Sequence, residues 1–139
     1  MSKQHSLTVG STIPSLVLRK LDAENQLQDF PLTTFFAKRK IALFGLPGAF
    51  TPTCSANHLP GFAGNVAVFK TLGVDEVVCI TPNDPFVAAA WQAATGGAVT
   101  IIPDGALLFT IATGLDIDLS KNGLGIRMRR FVRSWRMAL

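Results

Sequence analysis

An α/β sandwich, with helices over a central sheet, is the fold class the sequence predicts, and three observations carry it. First, residues 41–46 are apolar without interruption, as are Val77, Val78, Cys79 and Ile80 within 75–81. That pattern suits strands covered on both faces of a parallel or mixed sheet. Second, apolar residues at helical spacing follow each run: Leu59, Phe62, Ala63, Val66 and Phe69 after the first, Phe86, Val87, Ala90 and Trp91 after the second. Third, 139 residues make one domain that buries roughly two thirds of its unfolded surface and needs no staples.

Residues 9–14 are extended and punctuated by Pro14, and Leu16, Val17 and Leu18 read as a short strand. Its hairpin partner lies near Leu27 and 22–26 supplies the polar turn, an edge hairpin without chemistry. Residues 32–40 form a short amphipathic turn through Leu32, Phe35 and Phe36, ending in the solvated charges Lys38, Arg39 and Lys40. Pro60-Gly61 predicts a kink in the helix after Cys54, and Gly73 closes it. Asn83-Asp84-Pro85 starts a helix over 85–94, because Asp or Asn caps free N–H groups and Pro suits the first turn; Thr95-Gly96-Gly97 ends it. A strand at 99–102 and a turn at 103–105 follow, while 106–113 fits a helix or a strand equally. The stretch 116–125 is polar and Gly-punctuated, and 126–132 reads as a strand carrying arginines.

The net charge of +4 belongs to the end of the chain. Residues 1–125 hold eight Lys and Arg against all nine Asp and Glu, a net of −1, and Arg127, Arg129, Arg130, Arg133 and Arg136 supply the rest. A nucleic-acid face needs basic groups spread over a surface with aromatics interleaved, so no nucleic-acid partner is expected. No apolar run approaches the roughly 18 residues of a membrane helix, and no membrane partner is expected. Residues 1–5 are polar and the chain reads as cytoplasmic, with an organelle open if a targeting segment has been removed. Two cysteines without an export signal point to reduced thiols in a reducing compartment.

Cys54 is the candidate nucleophile. It stands where the strand 41–46 gives way to a helix, and unpaired N–H groups with the helix dipole favour its thiolate there. His58, four residues on, invites a Cys–His dyad, although a satisfied helix histidine is the plainer reading. Cys and His clustering is too sparse for a metal site, and 45–48 lacks the Lys and Ser or Thr of a phosphate loop.

The block PGAFTPTCSANHLPGF, residues 47–62, closely resembles the active-site segment of the peroxiredoxins, in particular the type II or peroxiredoxin 5 group. The similarity continues through GVDEVVCI at 73–80, NDPFV at 83–87, Trp91, DLSKNGLGIR at 118–127 and Arg130-Phe131. The resemblance implies a thioredoxin-like fold with a central mixed sheet, and a thiol peroxidase that reduces hydrogen peroxide and small alkyl hydroperoxides through a cysteine sulfenic acid. Cys54 would then be the peroxide-attacking thiol. Thr51 would hydrogen-bond the thiolate and the peroxide, Pro47 would shield the sulfur, and Arg130 would lower its pKa with Arg127 as helper. Cys79, 25 residues after Cys54, is either the resolving cysteine or a buried thiol. No bound cofactor is implied; the external reductant would be glutathione, glutaredoxin or thioredoxin, and the assembly a homodimer with contacts near Phe50 and Phe86.

After Phe131 the chain departs from that pattern. The last strand and helix of the family are not matched, so 1–131 is expected as the domain and 132–139 as an atypical basic tail that leaves an exposed sheet edge. The alternative function is a weakly active or inactive interaction or redox-sensing module.

Overall fold

The computed structural model describes residues 13–37, 39–51, 66–71 and 73–136. Strand β1 (Val17–Leu21) pairs antiparallel with β2 (Leu27–Pro31), from Val17 opposite Pro31 to Leu21 opposite Leu27. The Asp22 carboxylate accepts from the Glu24 and Gln26 amides, each at 2.9 Å, and so builds the expected turn. Helix α1 (Leu32–Phe36) follows, burying Leu32 and Phe36.

The predicted solvated end of that segment is corrected at Arg39. Its guanidinium reaches Glu76 at 2.8 Å, donates from Nε to the Phe35 carbonyl at 3.0 Å and lies over the Phe35 ring at 4.5 Å. The other Glu76 oxygen accepts from the Thr100 hydroxyl. These contacts tie the starts of β3 (Lys40–Gly45), β4 (Glu76–Thr81) and β5 (Thr100–Pro103) together.

The central sheet runs β5-β4-β3-β8, with β3, β4 and β5 parallel and β8 (Phe131–Arg136) antiparallel to β3. Alternation along the strands divides the core. Ile41, Leu43, Val78, Ile80 and Ile102 face one side with Leu32, Phe36 and Phe109; Ala42, Phe44, Val77, Cys79 and Ile101 face the other with Trp91. Helix α2 (Val66–Thr71) lies between β3 and β4, and Gly73 adopts φ +90° just after it.

Helix α3 (Pro85–Ala94) starts as expected, with Asp84 accepting from the Val87 amide at 2.8 Å. Its buried face is set by Ala88 and Trp91 rather than by the predicted Phe86 and Ala90, which share the opposite, exposed face one turn apart. The open choice at 106–113 resolves to helix α4 (Leu108–Ala112). Buried Asp104 accepts from the amides of Phe109 and Thr110 and from the Thr110 hydroxyl, supplying the donors' partner at the start of this helix.

The single strand expected over 126–132 is two. β6 (Asp116–Asp118) and β7 (Ile126–Met128) form a separate ribbon; the chain breaks at Arg129 and Arg130 and then joins the central sheet as β8. The break is where it leaves one sheet for the other, marked by the Arg129 amide on the Leu115 carbonyl at 2.8 Å. The expected boundary at 131 therefore falls at the head of a strand, and 132–136 belong to the sheet. Among the described residues β8 pairs only with β3.

Candidate active site

Residues 46–51 leave the carboxyl end of β3, beside the carboxyl ends of β4 and β5, where open α/β sheets commonly bind ligands. Asn83, Asp104 and Arg127 there share a cavity of about 640 Å³ with residues of β1.

Two consecutive peptide units of this loop, Pro47–Gly48 and Gly48–Ala49, are held from different directions. Arg127 donates from Nη1 to the Pro47 carbonyl at 2.9 Å and from Nε to the Leu124 carbonyl at 3.0 Å. Gly48 is the residue that lets the guanidinium in, since a Cβ there would sit 2.4 Å from Arg127 Nη1. The Thr51 hydroxyl donates to the Gly48 carbonyl at 2.9 Å. The Ala49 amide donates to Asn83 Oδ1 at 2.8 Å, and the Thr81 hydroxyl donates to the same oxygen at 2.6 Å.

Phe50, next in the chain, is left-handed at φ +62°, a conformation that costs an aromatic residue on the order of 1 kcal/mol or more and persists where its surroundings impose it. Its ring is exposed and lies 6.4 Å from that of Trp91 on α3. Gly45 ends β3 under Phe131, where a Cβ would come within 2.1 Å of the ring. The Gly45–Phe131 pairing, continued by one residue, sets Arg130 beside Leu46 at the root of the loop.

The structure thus brings Pro47, Thr51, Arg127 and Arg130 to one end of the sheet. Cys54 and His58 lie outside the described residues. Cys79 is fully buried in mid-β4, between Phe44 of β3 and Ile101 of β5. Asn83 is the residue sequence reasoning missed. Its signal was the redundancy of Asn83-Asp84 before Pro85, two capping residues where a helix uses one.

The Redoxin family profile matches residues 8–133. Peroxiredoxin-2D of Arabidopsis thaliana is 43% identical over 127 residues, covering 90% of this chain and 78% of the plant protein. Among solved structures, reduced Prx3 of Vibrio vulnificus in complex with hydrogen peroxide superposes with a TM-score of 0.88 at 35% identity, over 94% of this chain and 82% of that one. Peroxiredoxin 5 of Alvinella pompejana gives 0.83 at 32% identity, over 94% and 83%. These likenesses span both core faces and the β3 loop, so that the expected thioredoxin-like architecture stands, and the chain belongs to the Redoxin family as a thiol peroxidase of the type II, peroxiredoxin 5-like peroxiredoxins.

Proposed function

We propose that this thiol peroxidase reduces hydrogen peroxide and small alkyl hydroperoxides through Cys54. The thiolate attacks the distal oxygen, the O–O bond breaks, and the alkoxide or hydroxide leaves and takes a proton; Cys54 becomes a sulfenic acid. An external thiol then condenses with it, releasing water, and a second thiol reduces the mixed disulfide. The electrons come from glutathione, glutaredoxin or thioredoxin, with no bound cofactor.

The observation that carries the reading is the hold of Arg127 on the loop that leads to Cys54, with the backbone of Arg130 next to the Gly45–Phe131 pair at the root of that loop. Arg127 fixes the Pro47 carbonyl, and Arg130, in the role the family resemblance gives it, would supply a permanent positive charge that favours the thiolate and the charge spreading over two peroxide oxygens. With its proton on the Gly48 carbonyl, the Thr51 hydroxyl offers lone pairs to a peroxide O–H rather than a donor to the thiolate. Cys79 is assigned as a buried thiol: a disulfide needs Cα atoms within about 7 Å and an accessible sulfur, and this one has no exposed surface in a central strand.

A homodimer through the face bearing Phe50 and Phe86 accounts for two large aromatic side chains more than half exposed. Free thiol chemistry supports a reducing compartment, the cytoplasm first, with an organelle as the other choice. No helix among the described residues is long and apolar enough to cross a membrane. The interaction-module alternative is not favoured, since the named relatives are peroxiredoxins.

Stopped-flow peroxide consumption by reduced protein, with Cys54→Ser as control, tests the reaction. Many equivalents consumed per protein when thiol is supplied, and none by the variant, is the expected result. A variant as fast as the parent overturns the assignment.

A further inference from the structure

We propose that Asn83 is a positioning residue for the Cys54 reaction, acting by holding the Ala49 amide. The inference rests on reading Cys54 as the peroxide-attacking thiol.

Ala49 is buried, and a buried backbone N–H without an acceptor costs about 1–3 kcal/mol. Its acceptor is a side-chain oxygen 34 residues away, Asn83 Oδ1 at 2.8 Å. Because a backbone N–H can only donate, the amide atom facing it is the oxygen, which fixes the Asn83 orientation. The Thr81 hydroxyl donates to the same oxygen, so both its lone pairs are used and the side chain is held at the end of β4.

Asn83 is not required to start α3, because Asp84 caps the Val87 amide. The two neighbours divide the work: Asp84 serves its own helix, and Asn83 serves a loop of another strand. Ala49 lies between Gly48, whose carbonyl receives the Thr51 hydroxyl, and Phe50, held at φ +62°. Releasing Ala49 frees the residue before that left-handed turn, and the Thr51 hydroxyl moves with it. Peroxide attack needs near-attack geometry between the sulfur, the Thr51 lone pairs and the distal oxygen, whereas alkylation of the same thiolate needs only access.

The experiment compares two rate constants of Cys54 in folded protein, at a pH where the thiol is ionised: oxidation by hydrogen peroxide and alkylation by iodoacetamide. Asn83→Ala removes the acceptor; Asn83→Gln keeps the amide but displaces its oxygen by one methylene, and decides the matter should the alanine variant fail to fold. The expected result is a peroxide rate lowered tenfold or more, with the alkylation rate within twofold of the parent. An unchanged peroxide rate in the folded variant, or an equal fall of both rates, overturns the proposal. The Cys54→Ser protein separates the two failures: if it still consumes peroxide, the reading of Cys54 is what fails, and Asn83 is then without the role.

Discussion

Gly48→Ala isolates the Arg127 clamp. The new Cβ would stand 2.4 Å from Arg127 Nη1 and 3.5 Å from Thr51 Cγ2. The second distance is ordinary contact, but the first is about 1 Å short of it. Gly48 does not have a left-handed φ, so alanine meets no backbone strain, and the atom in its way is the end of a flexible side chain. The cheapest response is for the guanidinium to swing away, which breaks the 2.9 Å bond to the Pro47 carbonyl. A hydrogen bond from a charged donor contributes about 1.5–3 kcal/mol. Alanine also restricts the unfolded chain, which offsets roughly 0.4–1 kcal/mol.

The net expectation is a loss of about 1–2 kcal/mol, read from urea unfolding midpoints at constant slope. The decisive comparison is a double-mutant cycle. With Arg127 replaced by alanine nothing stands in the way of the Cβ, and Gly48→Ala should become neutral or slightly stabilising, leaving a coupling of about 1.5–3 kcal/mol. Equal destabilisation in both backgrounds would refute the clamp as the reason for glycine at 48.

Two further outcomes follow from other parts of the molecule. Burial holds the Asp104 carboxyl above the usual carboxylate range, against the amide and hydroxyl donors from Phe109 and Thr110 that pull it down. A raised folded pKa means the native state binds the proton more tightly, so this group's contribution is full below its unfolded pKa and lost as pH rises through the folded one. Urea unfolding of the parent and of Asp104→Asn should therefore show the parent's advantage shrinking from acid towards neutral pH; an advantage that grows instead would mean the donors outweigh burial. On the surface, Phe86→Asp should shift sedimentation from dimer to monomer with little change in stability, because the ring is 60% exposed in the single chain; a monomeric parent would sink the dimer proposal.

Legibility followed the range of the interactions. β3 and β4 could be read because a strand covered on both faces must be apolar at every position, and α3 because Asp84-Pro85 is a local capping device. The segment that became α4 is too short for periodicity to decide; its helix depends on Asp104, whose carboxylate accepts from Phe109 and Thr110 five and six residues on. The run 126–132 reads as one strand because Ile126 to Arg129 alternate apolar and basic and Phe131-Val132 continue apolar; the only local mark of the change of sheets is the doubled Arg129-Arg130, which nothing in composition distinguishes from a solvated pair. Arg39 reads as solvent-facing from the sequence because its partner Glu76 lies on another strand. At the site, the motif drew attention to Pro47, Thr51 and Cys54. The link of Ala49 to Asn83 is a tertiary contact that no local pattern encodes.

The separation of Arg127 from Pro47 by 80 residues also has a consequence for the nascent chain. Synthesis at about 5–20 residues per second puts roughly 4–16 s between the two. During that interval Cys54 has been made, but neither the guanidinium that fixes Pro47 nor the strand that brings Arg130 alongside β3 exists yet. If Cys54 is the peroxide-attacking thiol, as proposed, its full reactivity is then expected only after residues 127–136 have been made and β8 has docked on β3, so that the order of synthesis would separate the making of the thiol from its activation.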